Sequence, residues 1–384
     1  MINPFYISAI SFLGTILVFS LRWSEYYQEL DTELYLFIIS NILINVILGF
    51  TLRKKLKFVK LSKENKKIPK IILLIFLGYL VNFVYAKEIP LINAMLGIGT
   101  YYGEIKMLPT FYPLLMSLNV FSAIYVFYHY LSFKDIKYFR YSLILLLPFL
   151  INMGRGVLFM TLIPCILLYF SQSKFKVSIK IAFKVIAIAL VSLFIFGYLG
   201  NLRTPPSYLQ NISPSERILV IGNATDEFRD SIVPYEFFWT YIYIASPIAN
   251  LNEFMNYEQE DSNIYEFIVY NFFPQSLRKR SMNIDIINPK QHLVIDTFNV
   301  STAYAIPYLQ FGLIGIFLYQ ITYLLLFFIL YLMLKKSQYK SIFLSIYSVI
   351  ALLSLFSNML VLDVLIIPII LCVILKVTSK IRFV

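Results

Sequence analysis

Cysteine and histidine are almost missing from this chain of 384 residues, which has two of each. Cys165 and Cys372 both fall inside apolar runs, so neither a disulfide framework nor a cysteine-based zinc site is available. Two histidines likewise exclude a His-rich metal centre. Charge is scarce as well, at 14% against 59% hydrophobic residues, far from the balance of a soluble globular domain. No P-loop, Rossmann glycine pattern or His-Glu-x-x-His sequence occurs, which removes ATPase, dehydrogenase and zinc-protease chemistry. No cofactor is therefore expected. Internal repeats, coiled-coil heptads and a pair of Gly/Pro-broken spans recurring in two halves are also missing, and an inverted-repeat transporter would show the last of these.

What is present is a series of long apolar runs. A helix needs about 20 residues to cross the hydrocarbon, and spans are expected near 3–21, 34–52, 70–86, 109–131, 141–153, 156–171, 183–200, 306–334, 341–358 and 362–377. The fold class read from this is an all-α polytopic membrane protein of about ten transmembrane helices with one large external loop. Residues 1–200 would hold the first seven spans, 201–305 the loop and 306–384 the last three. The first run lacks a small-residue cleavage pattern after it and reads as a retained span. The run 306–334 is too long for one straight crossing, so Pro307 and Gly312-x-x-Gly315 are expected to kink it or leave its first turns outside. The loop 201–305 remains rich in aromatics such as Phe237, Trp239 and Phe272, which suits helices lying on or dipping into the membrane surface.

The charges are sorted between alternate connections. Of the 33 Lys and Arg, 22 gather in one set of connections beside only two carboxylates, Glu64 and Asp135. By the positive-inside rule that set is cytoplasmic, as are both termini. Basic residues beside spans make anionic membrane lipid the expected partner, not nucleic acid. Sorting also goes by type: Arg22, Arg155, Arg203, Arg217, Arg229, Arg278 and Arg280 all fall on the other side. A guanidinium kept there suits phosphate or carboxylate binding.

Arg155 stands out. Between the basic markers Arg140 and Lys174 the chain must cross out and back in fewer residues than two full spans need. The tip, Asn152-Met153-Gly154-Arg155-Gly156, should therefore sit below the surface, with its glycines permitting the reversal. An Arg at mid-membrane costs about 2.5 kcal/mol or more unless it pairs or reaches water, and the flanking spans hold no acid. It either snorkels to headgroups or binds an anion. Arg203, in Gly200-Asn201-Leu202-Arg203, is either an interfacial anchor or a second grip on the same diphosphate. Arg278-Lys279-Arg280 reads as a headgroup patch or a further phosphate site. His292, with Asp296 four residues on, is a candidate general base, against the plainer reading of a surface histidine. Glu236, Glu253 and Glu266 are other base candidates. His129 reads as interfacial packing and Asp363 as a turn residue.

Gly154-Arg155-Gly156 between two short spans, Gly200-Asn201-Leu202-Arg203 at the head of the large loop, and Tyr304-x-x-x-Tyr308-Leu309-x-Phe311-Gly312-Leu313-Ile314-Gly315 at re-entry together resemble the Wzy-type O-antigen and capsule polymerases. The resemblance covers most of the chain as layout and short motifs. It implies a metal-independent membrane glycosyltransferase of the bacterial cytoplasmic (inner) membrane. Such an enzyme moves a growing glycan from one undecaprenyl diphosphate to the sugar end of the next lipid-linked repeat unit, during O-antigen or capsule biosynthesis. It implies Arg155 and Arg203 at the diphosphate, and a flippase and chain-length regulator as partners. It supplies no match for the catalytic base. Three alternatives stay open. An O-antigen ligase shares layout and donor; a polyprenyl-phosphate-sugar transferase would use acids such as Glu29, Asp31 and Glu33. A lipid-linked oligosaccharide flippase should show charged residues within many spans and pseudo-symmetric halves.

Overall fold

A computed structural model of the chain describes residues 2–96, 105–172, 179–203, 212–259, 262–281, 293–295 and 297–381. Among them every regular element is helical, and the only β feature is a single bridge between Ser24 and Ala224. The first eight helices are α1 (Pro4–Phe19), α2 (Thr32–Leu52), α3 (Ile68–Ala86), α4 (Pro90–Leu96), α5 (Phe111–Phe133), α6 (Ile136–Ile144), α7 (Leu147–Ile151) and α8 (Arg155–Gln172). There follow α9 (Ile179–Arg203), α10 (Pro214–Ile221), α11 (Asp226–Arg229), α12 (Glu236–Phe254), α13 (Ile264–Phe272) and α14 (Gln275–Ser281). The chain ends with α15 (Ala305–Leu334), α16 (Lys340–Leu353), a 3-10 turn at Met359–Val361, and α17 (Asp363–Ile381).

Five of these, α2, α3, α5, α8 and α15, are long and apolar enough to cross a membrane; α1, α16 and part of α9 are shorter apolar helices. The helices leave apolar faces open. Along α3, Leu73, Leu77, Leu80 and Val84 lie on one face and are 46–70% exposed. Water would not tolerate such a stripe, whereas lipid hydrocarbon would, so the molecule fits a multi-pass membrane protein. The opposite extreme is α16, in which every residue from Lys340 to Ala351 is buried. It packs on α1, α8 and α17, while α5 packs on α3, α6, α8 and α17.

The sorting of charge along the sequence is realised in space. Val59 N–H donates to Ser341 Oγ (2.9 Å), Leu61 N–H to Ser132 Oγ (3.1 Å) and Asn65 N–H to His129 Nε2 (3.3 Å). Tyr128 donates to the Gln338 carbonyl (3.0 Å), and Lys134 Nζ to Gln172 Oε1 (2.8 Å). The lysine-bearing connections thus meet at one end of the bundle. Glu64 and Asp135 both reach the same cation, Lys137, at 3.9 and 2.7 Å. The lysine side-chain hydrogen bond holds the Asp135 carboxyl below its ordinary range, and Asp135 also caps α6 through the Lys137 amide.

Contacts at the opposite end are of another kind. Ser24 donates to the Gly222 carbonyl (2.6 Å), Asp31 N–H to Asn252 Oδ1 (2.7 Å) and Ala303 N–H to the Ser354 carbonyl (2.7 Å). With Asn250 Nδ2 donating to the Phe298 carbonyl (2.8 Å), these join residues 22–31, 222–255, 297–305 and 354–363 into one layer. Its centre is α12, buried along Phe238, Tyr241, Ile242, Ala245, Ile248 and Leu251 and packed on α1, α9, α10 and α15. Phe238 and Tyr241 of α12 are sunk among other helices, while Tyr243 is 43% exposed.

Two expected spans are broken. The interval 141–153 is not one helix: α6 stops at Ile144, Leu145 and Leu146 form a turn, and α7 adds only Leu147–Ile151. Within α15 the helix is interrupted at Phe311 and Gly312, as expected from Pro307 and the two glycines. Gly312 takes φ +57° and ψ −142°, a conformation only glycine adopts freely. The Gln259 side chain lies directly above it.

Candidate functional site

Arg155 is the first residue of α8, and the turn that delivers it is a helix stop of Schellman type. Gly154 N–H reaches back to the Phe149 carbonyl (2.8 Å) and Met153 N–H to that of Leu150 (3.0 Å). The left-handed residue in this turn is Met153, at φ 54°, so the reversal does not use the glycines as expected. Gly156 instead borders open space. Asn152 locks the turn from behind: its Nδ2 donates to the Pro148 carbonyl (2.7 Å) and its Oδ1 accepts from Tyr112 (3.2 Å). Arg155 is thus presented on a fixed pedestal by α5 and α7.

Its side chain is exposed, and among the described residues it makes no hydrogen bond or ion pair. The first N–H groups of a helix have no partner within it. In α8 the amide of Arg155 bonds to Met153 and that of Leu158 to Gly154. Those of Gly156 and Val157, at the helix start, have no partner among the described residues. A free guanidinium beside two free amides at the positive end of a helix dipole is the arrangement that binds phosphate oxygens.

Three other arginines of this end have partners in the fold. Arg22 pairs with Glu29 at 2.8 Å. Arg229 donates to the carbonyls of Ala224 (2.9 Å) and Leu219 (3.2 Å), satisfying the end of α10. Arg278, a candidate phosphate ligand, is half-buried; it donates to the Tyr270 carbonyl (3.1 Å) and lies over the Tyr270 ring at 5.1 Å. Burial lowers its pKa from the usual guanidinium value. Arg203 is the last residue of α9 and Arg280 lies in α14, but their side chains fall outside the described residues. His292 and Asp296 also lie outside them. Arg155 and Arg203 start and end helices with different main partners, α5 and α16 for α8, α12 and α10 for α9. No described contact brings the two together.

Several candidates have structural duties. Gly200 admits the Trp239 ring of α12, and Asn201 accepts its indole N–H (2.7 Å), so two residues of the Gly-Asn-Leu-Arg motif seal the α9–α12 seam. Glu266 completes a capping box with Asn263 at the start of α13. Glu253 accepts from Asn256 (3.3 Å), and the backbone of Glu236 lies against Gly197. Asp363 is no mere turn residue. It is 9% exposed and accepts from the Ser276 hydroxyl (2.7 Å), tying α14 to α17. His129 is buried as expected, with Nδ1 against the Tyr125 carbonyl (3.0 Å) and Nε2 accepting from Asn65.

One feature of the interior was missed from the sequence. Asn41 Nδ2 donates to the Tyr304 oxygen (2.6 Å), which donates to Gln320 Oε1 (2.8 Å). Tyr319 donates to Asn358 Oδ1 (3.0 Å), Asn358 to the Asn271 carbonyl (2.9 Å), and Asn271 to Gln310 Oε1 (2.8 Å). Asparagines and glutamines inside otherwise apolar runs were the available signal. They bolt α2, α13 and the 3-10 turn to the broken helix α15.

Compared with known proteins, the chain matches no family model, no curated protein and no solved structure.

Proposed function

We propose that the chain is a polymerase of lipid-diphosphate-linked oligosaccharide repeat units, crossing the membrane ten times with both termini cytoplasmic and 201–305 on the external face. The observation that carries this reading is Arg155: exposed, without a partner among the described residues, and presented beside two amides that none of those residues pairs, at the end of the bundle opposite the lysines. The charge asymmetry supports the orientation. The resemblance to Wzy-type polymerases supports the reaction.

In that reaction the hydroxyl of the acceptor sugar attacks the anomeric carbon of the donor glycan. The bond from that carbon to the diphosphate oxygen breaks, and undecaprenyl diphosphate departs with the bonding pair. Arg155 and the α8 amides stabilise the charge that grows on the departing oxygen. A base removes the hydroxyl proton, and His292 is the assignment proposed for it, with Asp296 as its orienting partner. The leaving group is good in its own right, so the protein's task is charge stabilisation and alignment. Arg203 and Arg280 are proposed as further diphosphate contacts.

The test is Arg155→Lys in purified protein reconstituted with undecaprenyl-diphosphate-linked repeat units. A point charge cannot reproduce the guanidinium fork, and charge-assisted contacts contribute about 1.5–3 kcal/mol each. Polymerisation should fall roughly ten- to a hundredfold at normal protein levels. Unchanged glycan lengths would reduce Arg155 to a headgroup anchor, and the absence of any transfer by the wild type would remove the polymerase reading. Transfer to a non-extending acceptor with no chain growth in the wild type would favour the ligase.

A further inference from the structure

An apolar groove of about 370 Å³ runs between α5, α6 and α8, walled by Phe127, Phe139, Leu143, Leu162, Ile166 and Tyr169. Ile166, Tyr169 and the neighbouring Phe170 are 47–51% exposed, so the groove opens on the outside of the bundle, where lipid lies. Its residues on α8 are placed in a particular register. Leu162, Ile166 and Tyr169 stand seven, eleven and fourteen positions after Arg155. With 3.6 residues per turn, all three share the face of α8 that begins with Arg155. At about 1.5 Å per residue the groove starts about 10 Å below Arg155 and continues to about 21 Å. Half of a hydrocarbon core is about 15 Å. The groove therefore passes the depth that an acyl chain of a phospholipid anchored beside Arg155 would reach.

We infer that this groove holds the polyprenyl tail of the lipid whose diphosphate sits at Arg155. The inference rests on the diphosphate reading of Arg155 and adds where the tail goes. A tail longer than one leaflet matches a groove that crosses the midplane. A guanidinium at its head and a wall almost free of polar atoms match an anionic, long-chain amphiphile. Helix α8 would then act as a ruler, charge at the top and apolar contact along one face. Because the groove begins about 10 Å from Arg155 and ends about 21 Å from it, a carrier long enough to run to its far end is selected over short-chain diphosphates.

The experiment uses the full chain in phospholipid vesicles and two probes, undecaprenyl diphosphate and the short-tailed farnesyl diphosphate. Leu143→Trp with Ile166→Trp fills the groove. Undecaprenyl diphosphate should then bind at least about tenfold more weakly, the loss expected from roughly two methylene groups' worth of apolar contact. Farnesyl diphosphate should bind as before, which also shows that the variant is folded. Independently, and without any substitution, a photoreactive group in the undecaprenyl tail should label peptides covering 142–146 and 162–170. Undiminished undecaprenyl affinity in the filled variant, or label spread over the exposed faces of α2 and α3, overturns the groove assignment. Arg155→Lys should weaken both probes; if it weakens neither, the diphosphate reading fails, and the tail experiments still report separately on the groove.

Discussion

The two ends of the bundle use positive charge in opposite ways. At one end the lysines are numerous and the connections are joined by backbone amides, serines, Tyr128 and His129, with Lys137 alone gathering both carboxylates. The other end holds most of the arginines, and Arg22, Arg229 and Arg278 each have a directed contact. Lysine there is a bulk charge on a flexible stem, suited to orienting a chain across a bilayer; arginine is a planar donor suited to a defined acceptor. Against that pattern Arg155 is the exception, an arginine at the directed end without an acceptor among the described residues. A residue held on a fixed turn with its donors unused is best explained by an acceptor that arrives from outside.

The difference between the ends can be broken or sharpened by substitution. On the proposed polymerase reading the largest effect is expected at His292, where alanine should slow polymerisation about a hundredfold, the usual scale of general base catalysis. A neutral imidazole must accept the proton, so on that reading the wild-type rate falls as acid protonates the ring. A variant with the wild-type rate and pH profile would pass the role to a carboxylate. Next comes Tyr304→Phe, which leaves Asn41 and Gln320 without their shared hydroxyl. It should lower stability by about 1–2 kcal/mol, read as a lower Tm in detergent; an unchanged Tm would mean that the α2–α15 bolt carries no weight.

Met153→Gly should act in the other direction. It relieves a non-glycine residue at φ 54° and should stabilise the α7–α8 turn by up to about 1 kcal/mol. Smallest of all is Lys54→Gln at the lysine end, expected to change stability by no more than about 0.5 kcal/mol. A large loss there would undo the contrast between the two ends.

Much of the helical layout could be read in advance. Periodic apolar runs and a one-sided charge bias need only local information, since a helix satisfies its own backbone and a lysine beside a span acts through its neighbours in sequence. Helices fall within each expected interval, five of them long and apolar enough to cross a membrane and the one at 141–153 split in two, and the α15 break was visible in Pro307 and the two glycines. The motif around Gly200 was legible as a motif but not as a seam, because the partner ring, Trp239, is far away in sequence. Gly154 and Gly156 were read as the turn makers, yet the strained position fell to Met153; which residue of a short turn goes left-handed depends on how the flanking helices dock. The polar bolts through Tyr304 and Asn358 were passed over because uncharged amides barely disturb an apolar run.

By itself, then, the sequence determined where helices form, that they suit a bilayer, and which connections share a side, because those follow from hydropathy, period and charge along the chain. Only the tertiary structure decided that Arg22, Arg229 and Arg278 are engaged by the fold and that Arg155 is without a partner among the described residues. It also decided that α12 is core and that Arg155 heads an apolar groove. Those outcomes depend on residues tens to hundreds of positions apart meeting in space, and no local pattern records such meetings.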